Sequence, residues 1–320
     1  MPCRTVIRVR LGRRVGMRLG NWYDRNAYWL FPGTAVLFVM LLMVFPLGYT
    51  LYNSFTDWSL TRGSRVNWIG FKNYVEIFTS DPRFWGSVWR TFLFTGLAMV
   101  VEVVLGVLIA VLFDHKDFRG KRVARSVFLM AMMATPVAVA MVWLLIFEPN
   151  AGVLNWLLRA MGVETVFRDW LGIGRMLWIT DASTVIPSLV LVDIWEWTPL
   201  VALIVIAGLA TLSREPYESA LVDGASATQI FFRITLPMIA PTIGVATLLR
   251  LVDCLKTFDI IYTMTNGGPG TASETINVYT YQMSFQYFNF GYASALLMVF
   301  FSLVLGISLI VTYLRRGLEL

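Results

Sequence analysis

Residues 91–113 read TFLFTGLAMVVEVVLGVLIAVLF, twenty-three positions with a single charged side chain, Glu102. A helix needs about 20 apolar residues to cross the hydrocarbon core of a bilayer, so this run is long enough to span it. Five further runs qualify, at 30–51, 126–147, 186–209, 236–254 and 292–311. The fifth span, 236–254, carries Arg250 and Asp253. A β-barrel would instead show short segments alternating apolar and polar residues, because its lumen faces water. Unbroken runs of this length point to an all-α integral membrane protein with six transmembrane helices.

Composition agrees. Of 320 residues, 57% are hydrophobic and 14% charged, with a mean hydropathy of +0.67, which is too apolar for a solvated globular domain. The basic N-terminal segment, 1–29, precedes a six-helix domain over 30–320. With no small-residue cleavage site after the first apolar run, that run reads as a retained span rather than a signal peptide. Lys and Arg number seven in the N-terminal segment and five in loop 114–125, against five and three in the first two alternate loops. Cationic loops stay on the side of synthesis, so both termini are expected in the cytoplasm. Topology then accounts for the pI of 9.4, together with attraction to anionic membrane lipid. Nothing points to nucleic acid.

Several chemistries are excluded. Cys3 and Cys254 are the two cysteines, one expected in the cytoplasm and one inside a span, and His115 is the sole histidine. No disulfide framework or familiar metal cluster can be built from them. The chain has no GxxxxGK[ST] loop, no GxSxG elbow and no HExxH pair, and Gly172 with Gly174 makes only half a dinucleotide fingerprint. Energy-driven work would therefore need a partner to hydrolyse nucleotide.

The loops differ in character. The first external loop holds GFKNY at 70–74 and Phe84-Trp85, aromatics suited to the membrane interface. The second holds LNWLL at 154–158, patterned as a short surface helix. The third, 265–291, has a Gly267-Gly268-Pro269-Gly270 turn and no Lys or Arg. Between spans four and five lies Glu218-Ser219-Ala220-Leu221-Val222-Asp223-Gly224, too polar to span. Gly224 would permit a sharp reversal between two short helices, making a cytoplasmic knob, and Pro237 and Pro241 would open span five.

The order Glu-Ser-Ala, three residues, Gly224, nine residues, Ile234-Thr235-Leu236-Pro237 resembles the EAA loop of binding-protein-dependent ABC importer permeases, with Ser219 where alanine is usual. The stretches FDIIYTMTNGGP at 258–269, GYASA at 291–295 and GFKNY at 70–74 are similar to the carbohydrate-uptake branch, the maltose-permease type.

This resemblance implies a type I ABC importer transmembrane domain in the bacterial inner membrane. Its partners would be a second, homologous permease, two ATPase subunits holding ATP and Mg, and an extracytoplasmic sugar-binding protein. The chain itself would bind no cofactor and make or break no sugar bond. Glu218, Ser219, Ala220, Asp223 and Gly224 would dock to the ATPase. The translocation path would include Met133 and Val137 in span three, Glu196, Trp197 and Leu200 in span four, and Arg250, Cys254 and Thr257 in span five.

Ionisable residues inside a membrane are costly and default to functional hypotheses. Asp193, Glu196, Trp197 and Leu200 share a face by i, i+3, i+4 and i+7 spacing, as do Arg250, Cys254 and Thr257. Arg250 has two readings: a buried ion pair with Glu196, or a planar fork meeting a polar or anionic sugar group beside Trp197. The second admits an acidic oligosaccharide of uronate or alginate type, although Asp193 and Glu196 could already neutralise Arg250 and Lys256. Two rival classes are an ion-coupled secondary transporter using Glu102 or Asp193 and a membrane-embedded transferase or protease, which would need a converging nucleophile and base.

Overall fold

A computed structural model describes residues 32–63, 66–115, 120–163 and 176–318. The basic segment 1–29, Leu30, Cys3, Gly172 and Gly174 lie outside the described residues. Twelve helices account for most of the described chain: α1 Pro32–Ser54, α2 Lys72–Thr79, α3 Pro82–His115, α4 Lys121–Met130, α5 Pro136–Ile146, α6 Val153–Ala160, α7 Val185–Leu209, α8 Glu215–Val222, α9 Ala227–Leu255, α10 Asp259–Thr265, α11 Ile276–Phe285 and α12 Phe290–Leu318. No strand occurs among the described residues beyond an isolated bridge between Thr56 and Trp68.

Helices α1, α3, α7, α9 and α12 are each long and apolar enough to cross a bilayer, and α4 with α5 passes the same test of length and composition as a pair bent by 101°. The apolar run at 126–147 reads as one continuous span although Pro136 lies inside it. The bend comes from Pro136, whose ring disfavours helical backbone at the preceding residue. Thr135 is accordingly extended at φ −74°, ψ 138°, as is Ala134, and Pro136 restarts the helix where a missing amide costs nothing.

Pro46 and Pro237 are accommodated differently. Pro237 and Pro241 do not open span five; both sit inside α9, which is helical from Ala227 onward. A π-turn at Phe231–Thr235 ends two residues before Pro237. In α1, a π-turn at Met40–Val44 ends two residues before Pro46. Proline removes one backbone bond and crowds the carbonyl four residues back; a π-turn widens the helix at that place, so it continues without breaking.

The core forms around α3 and α7. Ala98, Phe94, Leu189 and Val192 pack with Ile260 and Ile261 in one cluster, and Val107, Ala110, Val201 and Val205 with Ile239 and Ala246 in another. In lipid, helices associate by close packing rather than by the hydrophobic effect, which favours small residues at the contact. Gly106 supplies that approach: a Cβ there would lie 2.6 Å from Val201 Cγ1.

On the opposite side from the knob, the third loop is fastened to the start of α3. Asp81 accepts hydrogen bonds from the Tyr279 and Tyr292 hydroxyls, both at 2.6 Å, and from the amides of Arg83 and Phe84. Arg83 Nε donates to both carboxylate oxygens of Glu274 at 2.9 and 3.0 Å. Burial and the Asp81 carboxylate hold the Tyr279 phenol above its ordinary range.

Candidate functional site

The knob between α7 and α9 is built by two local motifs. Helix α8 closes as a Schellman turn: the Ala225 amide donates to Ala220 O at 2.9 Å and the Gly224 amide to Leu221 O at 3.2 Å. That closure requires left-handed backbone at Gly224, whose φ is +76°, a conformation glycine adopts without steric cost. Ser226 then starts α9 with a capping box. Its Oγ accepts from the Gln229 amide at 3.3 Å, and Gln229 Oε1 accepts from the Ser226 amide at 2.8 Å.

The result presents Glu218, Ser219, Asp223 and Gly224 to solvent, with Ala220 turned inward. Leu221 and Val222 are also exposed, Val222 at 88%. Asp223, Gly224, Gln229 and Arg233 line a recess of about 280 Å³ on this surface. The exposed apolar pair, Leu221 and Val222, lies between the carboxylates of Glu218 and Asp223.

At the other end of α9 sits a buried charge cluster. Arg250 Nε donates to Glu102 Oε2 at 2.7 Å, and Nη2 donates to Glu102 Oε1 at 3.0 Å and to Asp193 Oδ2. All three residues are at most 2% exposed. The cluster therefore joins α3, α7 and α9 at one point. Cζ of Arg250 also lies over the Trp197 ring, 5.2 Å from its centroid, a cation–π contact strengthened by desolvation. The Cys254 thiol packs 3.8 Å from Asp193 Oδ2.

The Arg250–Glu196 pair expected as one reading does not form. Glu196 lies one turn from Asp193, yet the direction of its side chain leaves both carboxylate oxygens buried with no hydrogen-bond partner among the described residues. Glu102, which entered the sequence reading only as an ion-coupling candidate, takes the bidentate role instead. Its signal was available: it is the one charge in the second span, and a buried charge needs a partner.

Beside the cluster opens a recess of about 280 Å³, walled by Pro136, Trp197, Arg250, Thr257, Phe258 and Ile260, with Asp253, Lys256 and Asp259 at its polar side. It brings together three of the expected path residues, Trp197, Arg250 and Thr257. Leu200 and Cys254 stay outside its lining, and so does Glu196. Met133 and Val137 are exposed at the bend before and after Pro136, Met133 at 81%. Lys256 pairs loosely with Asp253 at 3.6 Å, both half exposed. Asp253, Lys256, Phe258 and Asp259 were not singled out as path residues; the last three share the recess with Trp197 because of how the chain turns after α9. Among the described residues no group of His, Cys, Asp and Glu side chains could hold a metal ion.

Residues 102–319 match the family described as binding-protein-dependent transport system inner membrane component. The chain belongs to that family. Relatives span nearly its whole length. A probable ABC transporter permease protein of Sinorhizobium fredii is 34% identical over 306 residues, covering 95% of this chain and 92% of the relative. The sulfoquinovosyl glycerol transport system permease protein of Agrobacterium fabrum is 34% identical over 319 residues, covering 98% of each. The trehalose/maltose transport system permease protein of Thermococcus litoralis is 34% identical over 252 residues, covering 78% of this chain and 79% of the relative.

Among solved structures, a bacterial ABC transporter involved in the import of the acidic polysaccharide alginate superposes with a TM-score of 0.77, covering 94% of this chain and 99% of the other at 23% identity. At that identity the likeness is one of fold. This protein is thus an inner-membrane permease subunit of an ABC importer.

Proposed function

We propose that this permease carries a sugar or oligosaccharide into the cytoplasm by alternating access, paired with a second homologous permease, fed by an extracytoplasmic binding protein and driven by two ATPase subunits that hold ATP and Mg. Both termini would then face the cytoplasm. The chain contributes the path and the docking surface and carries out no chemistry on its substrate.

One observation carries this reading. Helix α9 runs unbroken from Ala227 at the knob to Leu255 at the recess, about 40 Å at the usual rise per residue. A push on Glu218, Asp223 and Gly224 from a closing ATPase pair would therefore be carried along α9 to Arg250, at the wall of the recess. The Arg250 cluster would bring α3 and α7 along with it. Sugar as the cargo class is supported by the named substrates of the Agrobacterium and Thermococcus relatives. It is also supported by Trp197, an aromatic face set among polar groups.

The wiring of the recess bears on the charge of the sugar. Arg250 is spent on Glu102 and Asp193, and the polar side of the recess holds Asp253 and Asp259 against Lys256. That balance favours a neutral sugar. The acidic oligosaccharide remains as a second reading on one observation, the half-exposed Lys256, whose ammonium lies 3.6 Å from Asp253.

Uptake into proteoliposomes holding the whole complex, supplied with its binding protein and matched neutral and uronic sugars, tests both. Uptake requiring ATP inside and a sugar outside supports the importer reading. Complete indifference to every sugar overturns the cargo class.

A further inference from the structure

Arg250 holds its two carboxylates unequally. Glu102 is gripped along one edge of the guanidinium, by Nε at 2.7 Å and Nη2 at 3.0 Å. Asp193 is held through Oδ2 alone, by Nη2, and its Oδ1 is buried with no hydrogen-bond partner among the described residues. These bonds leave Nη1 without a hydrogen bond among the described residues. One edge of the fork is thus committed to α3, while the other is half used by α7.

Glu196 stands one turn along α7 from Asp193. It is 0% exposed, and neither carboxylate oxygen has a hydrogen-bond partner among the described residues. The charges that act on it belong to Asp193, Arg250 and Asp259, of which only Arg250 is positive. A buried carboxylate without a partner is costly, and the free donor of the cluster is Nη1. Two carboxylates of α7 therefore compete for one edge of one guanidinium. Each arrangement leaves one of them short, so neither is favoured outright and a modest input of binding energy tips the balance.

The distance between the two is small. Three residues along a helix rise about 4.5 Å. Trp197 follows Glu196 directly, and its ring centroid lies 5.2 Å from Arg250 Cζ. A cation–π contact fixes no hydrogen-bond direction, so the ring supports the guanidinium over the whole interval between the two carboxylates.

We propose that Asp193 and Glu196 are alternate partners of Arg250, exchanged as α9 shifts along α7 during transport. This rests on the alternating-access reading above and deepens it. Glu102 keeps its two bonds in both arrangements, following on its flexible side chain, while the bond to Asp193 is traded for one to Glu196. The joint among α3, α7 and α9 is kept and reset by one turn of α7. Packed interfaces move between discrete arrangements of this kind rather than deforming continuously. Glu196 is a positioning residue that acts through Arg250.

The test is thermal unfolding of the complete detergent-solubilised complex in two states, nucleotide-free and trapped with ATP and vanadate, for wild type, Asp193→Asn, Glu196→Gln and the exposed Glu215→Ala. Asp193→Asn should lower the transition in one state and Glu196→Gln in the other, each beyond the shift of Glu215→Ala. Glu196→Gln should also lower ATP-driven sugar uptake by proteoliposomes at least about tenfold, and Glu196→Asp, which keeps the charge, should recover part of it. If both neutral variants weaken the same state, the exchange is overturned. Glu196→Gln that is harmless in both states, with full uptake, is the result expected of a carboxyl that carries a proton, and also overturns it. Failure of Glu196→Gln to assemble, with Glu196→Asp normal, would make the carboxylate a fixed structural group and overturn it too. None of these results touches alternating access, which falls, and the exchange with it, if the wild-type transition is unchanged by trapping or the wild-type complex takes up no sugar.

Discussion

Arg250 grips Glu102 with two hydrogen bonds, Nε to Oε2 at 2.7 Å and Nη2 to Oε1 at 3.0 Å, across 148 positions of sequence. Because Asp193 takes the remaining side of the fork, three span helices share one electrostatic joint. A buried pair of this kind contributes little net stability as a pair, but breaking it strands a charge.

Removing one partner should therefore be expensive. Glu102→Ala should destabilise the permease by about 3–5 kcal/mol, seen as an earlier thermal transition of the detergent-solubilised complex. Arg250→Met should be at least as damaging, since it leaves Glu102 and Asp193 facing each other. A shift no larger than that of the exposed Glu215→Ala would contradict the joint.

The contact between α3 and α7 depends on a missing side chain. At Gly106 even a Cβ would lie 2.6 Å from Val201 Cγ1, so Gly106→Leu should cost at least ~1–3 kcal/mol through overpacking. Gly106→Leu combined with Val201→Ala should recover part of the loss, read by the same thermal transition.

Knob geometry can be tested without disturbing the membrane domain. Gly224→Ala places a side chain at φ +76° and should cost about 1–2 kcal/mol locally. Ser226→Ala removes the capping box and should cost ~0.5–2 kcal/mol. Hydrogen exchange should quicken at Ala225 and Gln229 respectively, while amides around Leu189 and Val205 keep their protection.

Charge selection at the recess should move with its carboxylates. Asp253→Asn and Asp259→Asn together should raise uptake of uronic relative to neutral sugars, because Lys256 then faces substrate without competing anions. Lys256→Gln should shift the ratio the other way. Unchanged ratios in both variants would place substrate elsewhere.

Much of this protein can be read directly from residue patterns, for reasons that are local. A span declares itself because its length must match the bilayer, and the knob because its polar residues and Gly224 interrupt two apolar runs. The bend at Thr135-Pro136 was also local information, yet the apolar run at 126–147 continues across it and masks the break. The π-turns before Pro46 and Pro237 follow from how a helix relaxes around proline and leave no residue signature. That Glu102 needs a partner was legible, since it is the one charge in its span, but which residue it pairs with was not. Glu102, Asp193 and Glu196 are all carboxylates in spans, and only the rotation of three packed helices decides that the first two are gripped while the third is left apart.

The most direct test of the account is ATP hydrolysis by the complete complex in lipid, with and without sugar-loaded binding protein, comparing wild type, Glu218→Ala and Glu215→Ala. Wild type and Glu215→Ala should be stimulated by the loaded binder. Glu218→Ala, whose carboxylate stands exposed on the docking face of the knob, should lose stimulation and uptake together while its membrane domain melts as wild type does. Full stimulation of Glu218→Ala, or a wild-type complex whose hydrolysis ignores the loaded binder, would contradict the claim that this loop couples the permease to its motor.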